Sequence, residues 1–154
     1  MPFWKILVAF DGSEQSKHAI DYAADMANNS NGILIVLSVV PKITLPIFPD
    51  EGFGSIQVSS AQDFGEYYEK IQAIYQKSQD EIMKDLKNNF PNLKIEAILR
   101  EGRPSSTIVE EAEKNGVDLI VMGSRGLGGV SGWILGSTSR RVTESCTKPI
   151  LIIK

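Results

Sequence analysis

Short apolar runs alternate with segments of helical periodicity along the whole chain. Four runs are nearly continuous in Val, Ile, Leu and similar residues and predict strands at 6–10, 33–40, 119–122 and 150–153. A fifth run, 94–98, alternates polar and apolar residues, so we expect this strand at a sheet edge with one wet face. Continuous apolar strands separated by helices are typical of a parallel sheet covered on both faces. The pattern therefore predicts a single α/β domain over residues 1–154, with a five-stranded, doubly wound parallel sheet.

Residues that favour helix ends mark the predicted helices. Ser13 is predicted as the N-cap of the first helix, which repeats alanine at every fourth position. Pro104 suits the first position of the third helix, which ends at Gly116. Ser137 begins a short fourth helix. The crossovers between successive parallel strands are therefore helical, and we expect them to be right-handed.

The connection between the second strand and the second helix is unusually long. From Pro41 to Ala61 the chain shows no countable periodicity, and this length indicates either a functional lid or a mobile segment. Asp63 and Glu66 then resemble a capping box that opens the longest predicted helix, which runs to about Asn89. The inward stripe of this helix is predicted to contain Phe64, Tyr67 or Tyr68, Ile71, Ile74 or Tyr75, Ile82 and Leu86.

Composition and charge exclude several classes of function. The chain has 16 basic and 19 acidic residues and a net charge of −3, which argues against sequence-independent binding of nucleic acid. The single cysteine, Cys146, cannot form an internal disulfide, and no apolar run approaches the roughly 20 residues needed to span a bilayer. The N-terminus also lacks the pattern of a signal peptide. We therefore expect a cytoplasmic protein that binds neither nucleic acid nor membranes.

Two strand ends carry the residue types of a ligand site. In open α/β sheets, ligands bind beyond the carboxyl ends of the strands. Asp11 follows the first strand, and a segment with six glycines, 123–138, follows the fourth strand and leads into a helix. Glycine amides, with the hydroxyls and positive dipole of a helix start at Ser137 and Thr138, are suited to hold an anion. The alternative is that these glycines only turn a surface loop.

The common glycine-rich phosphate motifs do not fit this segment. A P-loop requires Gly-Lys-Ser/Thr, and no lysine lies between Gly123 and Thr138. A dinucleotide fingerprint starting at Gly126 reaches Ser131 where the third glycine is required. His18, on the first helix, has no nucleophile at motif spacing and is expected at the surface or partly buried. We therefore predict neither a P-loop ATPase nor an NAD dehydrogenase, and no catalytic or metal-ligating set.

One spacing in the glycine-rich segment matches a family signature: Gly123-x2-Gly126-x9-Gly136-Ser137. It has the G-2x-G-9x-G-S/T form of the ATP-binding branch of the universal stress protein (UspA-like) family. The chain resembles that family over essentially its whole length, including the first strand that ends at Asp11 and Pro149 before the last strand. The resemblance implies an adenine nucleotide alpha hydrolase-like sheet of order 3-2-1-4-5. Strand order would then reverse between the first and fourth strands.

The resemblance also implies an ATP site, with Mg²⁺ entering alongside the triphosphate. Asp11 would face the nucleoside with Ala9 in the same wall, and the backbone of Val39 would read the adenine. Asp11 has the alternative role of capping the first helix. The other implied residues lie along the adenosine (Met122, Gly123), the phosphate path (Gly126, Leu127, Gly128) and the terminal phosphates (Gly136, Ser137, Thr138), with Ser124 and Arg125 between them.

The chain departs from the family pattern in its charges. Members often carry a basic residue in the middle of the nine-residue stretch, where this chain has Ser131-Gly132-Trp133. Arg125 is then the nearest candidate cation for phosphate charge, although an arginine at this position can equally be solvated. No carboxylate cluster marks a dedicated Mg²⁺ cage.

The leading hypothesis is a cytoplasmic ATP-binding universal stress protein that acts as a nucleotide-dependent regulatory module. The sequence offers a phosphate cradle but no positioned base, arginine finger or nucleophile for fast phosphoryl transfer. Slow ATP hydrolysis, autophosphorylation or adenylyl chemistry at the same site is the enzymatic alternative, and a dimerisation module with an empty pocket is the third. The apolar strand from Ile150 to Ile153 and the family resemblance predict a homodimer through that edge.

Overall fold

Strands and helices alternate throughout residues 2–42, 61–126 and 135–154, the part of the chain that a computed structural model describes. Residues 43–60, which make up most of the predicted loop from Pro41 to Ala61, and positions 127–134, including Leu127 and Gly128, lie outside the described residues. In chain order the elements are β1 (Lys5–Ala9), α1 (Glu14–Asn29), β2 (Ile33–Pro41), α2 (Ala61–Asn89), β3 (Lys94–Gly102), α3 (Pro104–Lys114), β4 (Leu119–Gly123), α4 (Ser137–Ser145) and β5 (Ile150–Ile153).

The five strands form one parallel sheet in the order β3-β2-β1-β4-β5, which confirms the predicted fold and strand order. β1 lies at the centre and pairs with β2 on one side and β4 on the other. Its residues Ile6, Leu7 and Val8 are fully buried, because helices cover both faces of a parallel sheet. β3 lies at an edge, as its mixed sequence predicts, and its residues are half-buried or exposed except for the buried Gly102 at its end.

Two apolar clusters hold the helices against the sheet. One contains Ile6 and Val8 with buried alanines of α1 and the buried C-terminal part of α2. The other contains Leu7 with Ile108 of α3 and Val142 of α4. Successive residues of β1 therefore serve opposite faces, since side chains alternate along a strand. The alanine repeat lets α1 lie directly over the centre of the sheet.

Most predicted helix starts are confirmed, but the predicted start of α2 is wrong. Ser13 caps α1 by accepting the Ser16 N–H at 3.2 Å, Pro104 begins α3, and Ser137 begins α4. α2 begins at Ala61, two residues before the predicted capping box at Asp63. Alanine and glutamine, the residues at 61 and 62, are good helix formers, which accounts for the earlier start.

Fewer apolar residues of α2 face the core than its sequence pattern predicts. Tyr68 and Tyr75 are partly buried, whereas their neighbours Tyr67 and Ile74 are 57% and 66% exposed. Further along the same stripe, Gln79 is buried and its Nε2 donates to main-chain carbonyls of β2 and β3 at 3.2 and 2.8 Å. These contacts orient α2 so that Tyr75 is carried to the carboxyl edge of the sheet.

Candidate functional site

A cavity of about 430 Å³ lies beyond the carboxyl ends of β1 and β4, where the strand order reverses. This volume falls within the range of small-molecule sites, and the position is the one that open α/β sheets use for ligands. Its described lining is Ala9, Phe10, Asp11, Ser16, Leu37, Val39, Pro41, Tyr75, Pro104, Ile108, Met122, Gly123, Arg125, Gly126, Leu135, Gly136, Ser137, Thr138, Ser139 and Arg140.

The structure brings most of the sequence-predicted site residues into this one cavity. Three predicted residues are not among its described lining. Ser124 is 3% exposed and lies behind the wall, whereas Leu127 and Gly128 are outside the described residues. The predicted residues that do line it are Ala9, Asp11, Val39, Met122, Gly123, Arg125, Gly126, Gly136, Ser137 and Thr138.

Asp11 occupies a turn between β1 and α1 that fixes its carboxylate. Oδ1 accepts the Ser13 N–H at 2.9 Å, while the N-cap of α1 is Ser13 itself. Asp11 therefore braces the helix start without being its cap. Gly12 has a φ of +88°, which favours glycine. A Cβ on Gly126 would collide with Oδ2 of Asp11, so any larger residue at position 126 would displace this carboxylate.

Gln15, on the first turn of α1, fastens the segment that follows β4. Its Oε1 accepts the backbone N–H of Arg125 at 2.7 Å and the hydroxyl of Ser124 at 3.1 Å. Both contacts join residues that are more than a hundred positions apart in the chain. The buried Ser124 hydroxyl is therefore committed to a structural bond, and Gln15 holds the cavity wall from outside the lining.

The first turn of α4 is also held to the segment after β4. The carbonyl of Ser124 accepts the Gly136 N–H at 2.6 Å and the Ser139 hydroxyl at 2.8 Å. Gly136 is the N-cap of α4, and it provides no side chain to cap the helix. The first amides of a helix lack intrahelical partners and carry the positive end of its dipole. At Ser137 and Thr138 this end borders the cavity and is suited to an anion.

The opposite part of the cavity is apolar and offers backbone groups at Val39. The pairing of β1 with β2 ends at Ala9 and Leu37, where the Phe10 N–H donates to the Leu37 carbonyl at 2.8 Å. Peptide groups of a strand alternate between its two neighbours. Val39 therefore directs its peptide groups to the same side as Leu37, beyond the last paired residue of β1. Ile108 packs in the same apolar cluster as Val39.

Tyr75 of α2 is a cavity residue that the sequence did not single out as a site residue. Burial raises the pKa of its phenol above the usual value, and the negative charge of Asp11 raises this pKa further. The same helix approaches the Asp11 turn at Ser78, whose Oγ would lie 3.2 Å from a Cβ on Gly12. α2 therefore forms part of the wall near Asp11.

The sequence also failed to single out two residues at this site: Gln15, which holds the wall, and Arg140, which lines the cavity. Gln15 gave no signal, because a glutamine in a first helical turn is ordinary. Arg140 did give one, since a cation in the first turn of a helix is opposed by the helix dipole.

Within the described ranges, no group of three or more His, Cys, Asp or Glu residues could hold a metal ion. The same ranges contain no helix long and apolar enough to cross a membrane.

Comparisons with known proteins agree on one family. Residues 2–154 match the family model described as the Universal stress protein family. The chain is 30% identical over 154 residues to the universal stress protein YxiE of Bacillus subtilis, an alignment that covers 99% of each chain.

Solved structures show the same likeness. The chain is similar to UspA of Lactobacillus plantarum, with a TM-score of 0.81, 20% identity and coverage of 100% and 99% of the two chains. It is also similar to a universal stress protein in complex with cAMP, with a TM-score of 0.63, 25% identity and coverage of 100% and 98%. A family protein from Arabidopsis thaliana with AMP bound gives a TM-score of 0.65, 20% identity and coverage of 97% and 90%.

Replacing Gln15 should loosen the cavity wall. Gln15→Ala removes the acceptor for two hydrogen bonds, so we expect the free energy of unfolding in urea to fall by about 1–3 kcal/mol. Gln15→Glu keeps an accepting oxygen and should retain most of that stability. Lys17→Ala, on the same helix, removes only an exposed ion pair with Glu14 and should cost at most about 0.5 kcal/mol. Equal losses in the alanine variants at 15 and 17 would refute the fastening role.

The electrostatic effect of Asp11 on Tyr75 can be tested by titration. In Asp11→Asn the side-chain oxygen still accepts the Ser13 N–H, but the negative charge is gone. The pKa of Tyr75 should therefore fall, while staying above its ordinary value because burial remains. Tyrosinate absorbance against pH, with Tyr75→Phe as the subtracted reference, measures it. Asp21→Asn, at an exposed site of α1, should leave the curve unchanged, and an unchanged curve in Asp11→Asn would contradict the geometry.

Proposed function

The chain belongs to the universal stress protein family, and we propose that it binds ATP in the cavity beyond β1 and β4 and acts as a nucleotide-dependent regulatory module in the stress response. One observation carries the proposal: the N-terminus of α4 borders the same cavity as the carboxylate of Asp11. A helix N-terminus suits phosphate oxygens, and a carboxylate accepts hydrogen bonds from hydroxyl groups. Together they suit the two polar parts of one nucleotide.

The apolar part of the cavity is assigned to the adenine base. Val39 directs its peptide groups beyond the end of the β1–β2 pairing, where they are positioned to bond the polar edge of a base. Ala9, Leu37, Ile108 and Met122 supply apolar surface for its faces. Asp11 then lies between the base and the phosphates and is assigned to the ribose. Tyr75 adds a phenol to this part of the wall.

The phosphates are assigned to the glycine backbone and the first turn of α4. Gly123 and Gly126 line the path, and the proposal extends it through Leu127 and Gly128. It ends at the α4 start formed by Gly136, Ser137 and Thr138. Ser124 supports this path from behind through its hydroxyl and carbonyl. Mg²⁺ is proposed to arrive with ATP, bound by phosphate oxygens and water, as is usual for this ion in phosphate sites.

Relatives support an adenine ligand. One solved universal stress protein is described in complex with cAMP, and another family protein with AMP bound. Both contain adenine and at least one phosphate, the two parts to which this cavity offers different surfaces. We extend this to ATP because the helix end and the glycine path continue past the position of a single phosphate.

A regulatory role fits the chemistry of the described lining better than rapid turnover. Asp11 is its one carboxylate, and Oδ1 of that group already accepts the Ser13 N–H. His18 lies exposed on α1 and does not line the cavity. We propose a cytoplasmic location for this role, where the single Cys146 stays reduced and ATP is abundant.

We also propose that the protein is a homodimer paired through β5. This strand lies at the sheet edge and is almost entirely apolar. The carbonyls of Pro149 and Ile153 bond to β4 at 3.0 and 2.8 Å, so the alternate residues Ile150 and Ile152 direct their peptide groups outward. An apolar edge with outward peptide groups is a template for a second strand.

Saturating Mg-ATP should stabilise the protein. At 100 times its dissociation constant a ligand adds about 2.7 kcal/mol, which raises the melting temperature measurably. Asp11→Asn should weaken ATP binding about tenfold in calorimetry, or about 1.4 kcal/mol, because the ribose loses bonds to a charged acceptor. Asp21→Asn, an exposed change on α1, serves as the control and should bind like the unchanged protein.

Product analysis after long incubation with Mg-ATP, together with the thermal shift, distinguishes the alternatives. ATP recovered intact after long incubation supports the regulatory module. Accumulating ADP would identify a slow hydrolase, and a gain of phosphate mass on the protein would identify autophosphorylation. No thermal shift at millimolar Mg-ATP would contradict nucleotide binding and favour a dimerisation module.

The proposed dimer can be tested by measuring the mass of the protein in solution. Light scattering at micromolar concentration should give twice the 16.9 kDa of one chain. Dilution should return the mass to that of one chain. A mass of one chain at every concentration would exclude pairing through β5, whatever the result with ATP.

A further inference from the structure

Two arginine side chains line the cavity beside the start of α4. Arg125 follows β4, and Arg140 lies at the end of the first turn of α4. The two segments are adjacent, since a Cβ on Gly136 would lie 3.4 Å from the Cα of Arg125. Asp11 is the one acidic residue in the described lining. The lining therefore carries more positive than negative formal charge, and the cations are grouped at the helix end.

The position of Arg140 is unfavourable for the helix alone. Its N–H donates to the Gly136 carbonyl at 3.0 Å, so it belongs to the first hydrogen-bonded turn. Cations there are opposed by the positive end of the helix dipole, whereas anions are favoured. α4 has no acidic residue in that turn and no side-chain bond at its N-cap. A multiply charged anion in the cavity would be favoured both by the positive end of the helix dipole and by the charge of the guanidinium.

Arg125 is positioned more firmly than an ordinary loop arginine. Its backbone N–H donates to Oε1 of Gln15 at 2.7 Å, which fixes the point from which its side chain extends. The residue is half-buried and lines the cavity. The main chain at Arg125 is therefore already ordered near the helix end, so ligand binding has to restrict only the side-chain torsions of this residue.

We propose that Arg140, together with Arg125, makes this site selective for nucleoside polyphosphates over nucleoside monophosphates, with Arg140 as the specificity-determining residue. The proposal rests on the proposed adenine-nucleotide function and adds the number of phosphates. The first phosphate, common to AMP and ATP, meets glycine amides at Gly123 and Gly126. The outer phosphates reach the first turn of α4, where guanidinium groups form charge-assisted hydrogen bonds with phosphate oxygens.

The test compares one substitution across a series of ligands. Dissociation constants for adenosine, AMP, ADP and ATP are measured by calorimetry at one ionic strength, with and without Mg²⁺. The unchanged protein should bind ATP more tightly than AMP. Arg140→Gln should weaken ATP binding about tenfold and ADP binding less, with AMP and adenosine changed less than twofold. The salt dependence of ATP binding should also become shallower.

The neighbouring residue provides a matched control. Arg141 is exposed on the same helix and does not line the cavity, so Arg141→Gln changes the net charge equally and should leave all four constants unchanged. Arg140→Lys keeps the charge without the planar fork and should restore part of the preference for ATP. Arg125→Gln should also lower the affinity for ATP, as Arg140→Gln does. Melting curves of each variant confirm that it is folded.

The outcomes separate this inference from the function on which it rests. Equal losses for all four ligands in Arg140→Gln would overturn it, because the residue would then only maintain the shape of the cavity. AMP binding as tightly as ATP to the unchanged protein would also overturn it, while leaving adenine-nucleotide binding intact. Failure of all four ligands to bind would instead refute the proposed function itself.

Discussion

The side-chain amide of Gln15 is the contact on which the cavity depends. Where strand order reverses, the chain leaves β1 and β4 in different directions, and the sheet ladder no longer holds the two exits together. Oε1 of Gln15 bridges them by accepting two hydrogen bonds from Ser124 and Arg125. The carbonyl of Ser124 then binds the start of α4. One chain of polar contacts thus connects α1, the segment after β4 and α4.

Two glycines at this site lower the local stability of the fold while keeping the cavity open. A Ser, Asp or Asn at the N-cap of α4 would stabilise the helix by about 0.3 kcal/mol relative to glycine, yet Gly136 occupies that position. Glycine at position 126 lets the chain approach Asp11, but it also gives the unfolded chain more conformational freedom, which lowers the stability of the fold. Departures of this kind from the most stable local choice are expected at functional sites, where the ligand supplies the missing partners.

The sheet could be predicted because the pattern that specifies each strand lies within a few consecutive residues. Much of the site could not be predicted, because its residues are brought together from distant parts of the chain. Apolar runs of four to eight residues bounded by turn residues favour strands over helices, so β1, β2, β4 and β5 followed from the sequence pattern. The glycine spacing likewise singled out residues that line the cavity, and Asp11 followed from its place after β1. By contrast, Gln15 contacts residues more than a hundred positions away, and Tyr75 enters the cavity only through the packing of α2. The start of α2 was misplaced because a capping-box pattern at 63 competes with good helix formers before it.

Family membership and ligand choice depend on different atoms of the same site. Glycine and helix-end amides leave room for three phosphates, but they offer each phosphate the same kind of N–H group, so a signature built from them does not by itself reject a monophosphate. The distinction has to come from side chains whose reach and charge depend on the ligand's length. In this chain those side chains are Arg125, in a variable position of the signature, and Arg140, beyond its end. Relatives that share the main-chain path can therefore differ in the nucleotide they prefer, because substitutions at such positions change the charge of the cavity without disturbing the sheet that forms it.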